Sequence, residues 1–189
     1  AGLSVVEDSC EAMFVPGIGQ DADIPCFSTY TGHLITGGIG GFVTTNDDGL
    51  AAIVRSLCQH GRDARYLKLE DLRPGEARAR FSFPRIGWNF RATEMEAALV
   101  LAELQDRYEI MGAREIRAVE ILHELRDLED VLQLPSPGER AWIFFPMVLR
   151  NEPADGIMAY LEERRIETRP LMPLVGQPCY DLRRDDFPV

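Results

Sequence analysis

The order of elements predicts an α/β protein that ends in a small α+β piece. Three observations point there: short apolar runs that stop at a carboxylate or a hydroxyl, well-capped helices following the strands, and a proline-rich break after which a fresh strand and helix begin. On this reading residues 1–105 belong to a larger domain, 106–134 form a connecting helix, and 135–189 belong to a small C-terminal domain.

The elements follow in order. Leu3 to Val6 is a short apolar run before Glu7-Asp8 and reads as a buried strand ending in a carboxylate. A loop rich in Gly, Pro and Asp follows, then a strand over Ile24–Ser28, the glycine-dense turn 32–41, and a strand over Phe42–Thr45. Asn46-Asp47-Asp48 can cap a helix from about Gly49 to His60, stopped by Gly61. The charged stretch Arg62–Arg80 holds Pro74-Gly75 and reads as a long loop or flap.

Thr93 and Glu96 form a capping box for a long helix that extends toward Leu128 with a break near Gly112; Ala97, Val100, Leu101, Leu104, Tyr108 and Met111 share one face. Beyond Pro135-Ser136-Pro137-Gly138, a strand is expected over Trp142–Leu149, a helix over Ala154–Arg164 and an extended piece over Ile166–Leu171. A chain that opens directly in a buried strand and stops at Phe187-Pro188-Val189 reads as a fragment of a longer one.

Composition narrows the function. Of 189 residues 46% are hydrophobic, enough for a packed core, and 31 acidic against 20 basic residues leave a formal charge of −11. That balance argues against a nucleic-acid surface or a polybasic membrane anchor. No apolar run approaches the roughly 20 residues of a membrane span, and the first residues lack a basic signal-peptide region, so the cytosol is the expected compartment. Cys10, Cys26, Cys58 and Cys179 form no CxxC pair and read as reduced thiols, and His33, His60 and His123 lack metal-site spacing, so no metal is expected.

Candidate chemistry gathers early in the chain. Asp8 ends a strand where open α/β sheets place ligands, or else caps a helix. Phe27-Ser28-Thr29-Tyr30-Thr31-Gly32-His33 is a hydroxyl cluster running into glycines that suit close approach by a phosphate. Within it His33 is either a general base, with an imidazole pKa near working pH, or a packed histidine. Arg62, Arg91 and Arg169 are able to clamp an anion or to sit on the surface.

Together VVEDSCEA, CFSTYTGHLITGGIGGFVTTND, LCQHGRD and IGWNFRATEMEAALVLAELQ closely resemble, in order, the motifs of the DegT/DnrJ/StrS family, pyridoxal-phosphate (PLP) enzymes of fold type I acting on nucleotide-linked keto sugars. The resemblance implies a mixed sheet flanked by helices in a large cofactor domain. It implies that Asp8 pairs with the pyridinium nitrogen, that Ser28 binds the cofactor phosphate, and that Asn89 of Gly87-Trp88-Asn89-Phe90-Arg91 reaches the phosphate of a neighbouring subunit in a homodimer. Gln177-Pro178-Cys179-Tyr180 resembles the family's QPxY stretch, and Arg169 stands where members often contact substrate.

One departure directs the reading. Aminotransferases of this family carry a Lys in FSxxxxK, and FSTYTGH puts His33 there, a side chain that cannot form a stable Schiff base with PLP. The resemblance is therefore to the sugar 3-dehydratases, which have His at this point and use pyridoxamine phosphate (PMP), with glutamate as amino donor. Glu11, where aminotransferases usually have Gln, agrees with that branch. Cys10 matches the first cluster ligand of an iron–sulfur subtype, but no cysteine lies between Arg62 and Gly87, so the cluster-free GDP-sugar type is the nearer parallel. Ile39 replaces the usual acidic residue of GEGG.

Overall fold

The computed structural model describes residues 2–62, 78, 81–136, 138, 140–151, 153–171 and 177–180. Apart from Arg62 and Arg78, the expected flap lies outside them. The chain divides into two compact units, one of residues 1–118 with 138–143, the other of 119–137 with 144–189.

In the first unit β1 (Val6–Asp8), β2 (Ile24–Ser28) and β3 (Gly41–Val43) make a mixed sheet in the order β1-β2-β3. β1 runs parallel to β2, with Asp8 opposite Cys26, and β3 runs antiparallel, with Val43 opposite Cys26 and Gly41 opposite Ser28. The first strand starts later than expected. The carbonyl of Val5 takes both the Asp23 and Ile24 amides, and its own N–H donates to the Asp23 carboxylate at 2.7 Å, so regular pairing begins at Val6.

Nor is β1 buried: Leu3 and Val6 are 81% and 65% exposed, and among the described residues β1 is paired on one side only, with β2. The core lies elsewhere, where Met13, Leu34, Ile35 and Ala141 are buried against Val15, Phe27, Val100, Leu104, Ile110, Met111 and Ile143.

Helix α1 (Asp48–Cys58) is capped by Asp47, whose carboxylate accepts the Leu50 amide at 2.8 Å. It ends where His60 and Gly61 take positive φ, 61° and 83°. α2 (Glu94–Gln105) has the expected capping box, Thr93 and Glu96 each holding the other's amide.

The long helix then breaks, at Asp106 and not at Gly112. Aspartate favours helix ends over interiors; here its amide turns back to the Glu103 carbonyl at 3.2 Å while its own carbonyl accepts the Ile110 amide that starts α3 (Arg107–Leu125). Gly112 is interior to α3, with open space around it. The expected apolar face also divides. Val100, Leu104 and Met111 pack against the core, whereas Ala97, Leu101 and Tyr108 are not part of it, since α2 is apolar on most sides and has more such surface than one contact covers.

The second unit takes the end of α3, a 3-10 turn (Arg126–Leu128), the antiparallel pair β4 (Leu132–Gln133) and β5 (Val148–Leu149), helix α4 (Ala154–Glu163), and a 3-10 turn at Pro178–Tyr180. The strand expected over Trp142–Leu149 shrinks to its last two residues. Trp142 has a positive φ of 46°, its carbonyl is taken by Arg114, and Pro146 has no amide to donate, so this stretch cannot keep a ladder. Ile166–Leu171 forms no strand among the described residues; Arg165 at φ 62° and the Ile166 amide on the Leu161 carbonyl close α4 instead.

Candidate functional site

Pairing and pleat decide which side chains share a face. With Asp8 opposite Cys26, and side chains alternating along a strand, Asp8, Cys26 and Ser28 lie on one face of the sheet and Glu7, Pro25, Phe27 and Phe42 on the other. Asp8 and Ser28 are the last residues of their parallel strands, so both stand at the carboxyl edge.

Asp8 is exposed, and its Oδ1 accepts the Cys10 amide at 3.2 Å. The Cys10 thiol and amide together, with a further contribution from the charge of His33, hold the Asp8 carboxyl below the usual carboxylate range. The same thiol–carboxylate bond, aided by burial, pushes the Cys10 thiol up to about 11. The sequence reads Cys10 as a reduced thiol; its part here, a donor to Asp8, depends on the turn after β1. Glu11, in that turn, is exposed.

Ser28 ends β2 half-buried, its hydroxyl accepting the Tyr30 amide at 3.2 Å. The chain then turns: the His33 amide donates to the Tyr30 carbonyl at 2.9 Å, and the two rings meet edge-on with centroids 5.7 Å apart. His33 is half-buried, and its Nδ1 is buried without a partner among the described residues. Immediately after it Leu34 and Ile35 enter the core at 2% and 1% exposure. Asp8, Ser28 and His33 thus come from two strand ends and one turn, and the charge of His33 adds to the lowering of the Asp8 carboxyl.

The glycines beyond His33 are required by the chain's own packing and backbone conformation. A Cβ on Gly37 would strike the Val100 side chain, one on Gly41 would strike the Phe27 carbonyl across the ladder, and Gly38 and Gly40 sit at φ 89° and 120°.

Asn89 is held by a different stretch of chain. It forms a bridge with Gln59, beyond the end of α1, and its Oδ1 accepts Arg91 Nε at 2.7 Å. Trp88 and Phe90 on either side are exposed and stacked, 5.8 Å apart at 3°. The strip is stitched to α1 by three backbone bonds: His60 N to Trp88 O and Trp88 N to Leu57 O, both 2.7 Å, and Phe90 N to Cys58 O, 3.0 Å. In the second unit the Arg169 guanidinium lies 5.3 Å from the Phe144 ring. Arg62 lies over Phe81 and Phe83 at 5.6 and 4.9 Å.

A cavity of about 310 Å³ opens on the Phe27 and Phe42 face, lined also by Met13, Phe14, Ile18 and Leu104, so it is apolar and contains none of the candidate residues. Among the described residues no helix is long and apolar enough to cross a membrane.

The donor set fits a pyridoxal cofactor: an ionised carboxylate at a strand end, a hydroxyl at the next, and an imidazole with an unpartnered buried nitrogen nearby. The chain is 28% identical to the lipopolysaccharide biosynthesis protein RfbH of Salmonella typhimurium, over 94% of its own length and 46% of the relative's. It is 37% identical to GDP-perosamine synthase of Caulobacter vibrioides over 60% of the chain and 28% of that protein. Its fold matches that of the E coli GDP-4-keto-6-deoxy-D-mannose-3-dehydratase with bound hydrated PLP, with a TM-score of 0.74 and 23% identity, covering 89% of this chain and 46% of that one. The chain therefore spans less than half the length of these relatives. The fold is that of the fold type I PLP-dependent enzymes. The model of the DegT/DnrJ/EryC1/StrS aminotransferase family matches residues 1–188, and the chain belongs to that family.

Proposed function

We propose that the chain is part of a PLP/PMP-dependent enzyme of deoxysugar biosynthesis that removes the C3 hydroxyl of a nucleotide-linked 4-keto-6-deoxy sugar, with His33 as the base. Residues 1–105 then belong to the large cofactor domain, 106–134 to a connecting helix and 135–189 to the small domain of a cytoplasmic homodimer, with glutamate as amino donor. The observation that carries the reading is His33 itself, five residues after Ser28, at the family's lysine position and within the electrostatic reach of Asp8.

When bound, the aminated cofactor would supply an electron sink through which loss of a proton from its own methylene carbon expels the hydroxyl at C3 of the sugar joined to it. The chain's own residues hold and use it. Asp8, kept ionised by Cys10, keeps the ring nitrogen protonated. Ser28 holds the phosphate, Asn89 reaches that of the partner subunit, Glu11 stands beside the ring's phenolic oxygen, and Arg169 takes the substrate. His33 accepts the proton at Nε2, because its Nδ1 is enclosed by the protein. A histidine there leaves the cofactor free to be exchanged, where a lysine would hold it covalently.

A second reading, a sugar aminotransferase without its lysine, is favoured by the similarity to GDP-perosamine synthase. A third, a non-catalytic interaction protein, has no observation of its own. Incubating the full-length protein with PMP, glutamate and a GDP- or CDP-4-keto-6-deoxyhexose separates them, since only dehydration yields a 3-deoxy product. His33→Lys should abolish that product and leave cofactor bound covalently after borohydride reduction. Covalent trapping in the wild-type protein would overturn the proposal.

A further inference from the structure

We infer that Arg114 is a positioning residue for His33, its guanidinium reaching from α3 to hold the backbone that carries the imidazole. The inference rests on the reading of His33 as the base. Arg114 Nη2 donates to the His33 carbonyl at 3.3 Å and Nη1 donates to the Trp142 carbonyl at 3.0 Å, across 81 and 28 residues of chain. The side chain is half-buried, so the two bonds are shielded from competing water. A planar fork is well shaped for such a double hold, because two donors fixed in one plane tie two separate carbonyls to one helix, which a single ammonium cannot do with the same rigidity.

Its importance follows from what His33 lacks. A histidine that works as a base is ordinarily oriented by a group on its second ring nitrogen. Here Nδ1 has no such partner among the described residues. The ring touches the edge of Tyr30, which limits its tilt but does not fix its position along the loop. Among the described residues, what holds His33 in place is its backbone, on the amide side by the Tyr30 carbonyl and on the carbonyl side by Arg114. The second anchor of the fork is itself fixed from α3: the Trp142 indole donates to Glu115 Oε2 at 2.5 Å, one residue along from Arg114. The helix thus grips both stretches of chain that its arginine joins.

The test uses the complete natural protein with PMP loaded, and the same protein cofactor-free and labelled with 15N-histidine. Arg114→Met keeps the apolar stem and removes both donors. Its kcat should fall about 100-fold with KM within about threefold of wild type, the pattern of a displaced catalytic group and not of lost substrate binding. In the labelled protein the His33 ring signals should shift or broaden while those of His60 and His123 stay, a response that simple destabilisation would not confine to one histidine. Arg114→Lys should lose less, and it carries both measurements if Arg114→Met does not fold. Unchanged His33 signals, or an unchanged kcat in a protein that His33→Asn inactivates, would overturn the role. If His33→Asn leaves turnover intact, the base assignment fails alone, and the ring signals still decide whether Arg114 places His33.

Discussion

Replacing Gly87 with alanine tests whether the strip that presents Asn89 is held by backbone contact. Gly87 is not at positive φ, so the substitution strains no dihedral; its cost is steric. An added Cβ would fall on Gly61 N, the His60 carbonyl carbon and Leu57 O, all backbone atoms with no side-chain freedom to yield. The strip must therefore lift away from the end of α1. The bonds at risk are the three that stitch it down, His60 N to Trp88 O, Trp88 N to Leu57 O and Phe90 N to Cys58 O. At a net value of about 1 kcal/mol each, Gly87→Ala should cost about 3 kcal/mol of unfolding free energy. Urea denaturation of the full-length protein measures it, with PMP affinity read in parallel because the strip carries Asn89. A loss below about 1 kcal/mol with unchanged affinity would show that the strip is not held in this way.

Other substitutions test separate contacts. Gly112→Ala, in open space inside α3, should stabilise by about 1 kcal/mol in the same titration, since only backbone entropy changes. Asn89→Ala should weaken PMP binding by about 1–3 kcal/mol by calorimetry if Asn89 completes a phosphate site, and should leave it unchanged otherwise. Cys10, with its thiol pushed up to about 11, stays protonated through neutral pH, and its thiolate appears only as the pH rises toward that value. Iodoacetamide at pH 8 should therefore label exposed Cys179 well before Cys10, and Asp8→Asn should bring Cys10 forward by removing the carboxylate that its thiol bonds; peptide mapping by mass reads both.

Local chemistry was readable in the sequence wherever one or two neighbouring residues decide the outcome. Thr93 and Glu96 announce the start of α2, and Asp47 that of α1, because a cap is satisfied within one turn. The ordered motifs were enough to suggest the family, since they are strings of adjacent residues. What depends on distant partners was not readable. The helix breaks at Asp106 and not at the glycine, because Gly112 is accommodated inside α3. The strand expected over Trp142–Leu149 shrinks to Val148–Leu149, in part because Arg114, 28 residues away from Trp142, takes the Trp142 carbonyl. Burial of β1 was inferred from its apolar residues alone, yet exposure depends on which strands flank it. Within the site, Asp8, Ser28 and His33 could be named from their strings, whereas the Cys10 donor and the Arg114 fork needed coordinates.

The outer edge of β1 has a consequence for handling the polypeptide. No strand pairs with that edge among the described residues, and Leu3, Val5 and Val6 beside it are exposed. Edges of this kind are usually blunted by a charge that repels incoming chains. Glu7 is the acidic residue placed to do so in the middle of the strand, but its carboxylate is occupied with the Gly19 amide and the Ser9 hydroxyl. Left uncovered, β1 is a template on which an extended segment of another molecule can add, so self-association of the isolated 189 residues should grow with concentration and be suppressed by whatever caps that edge.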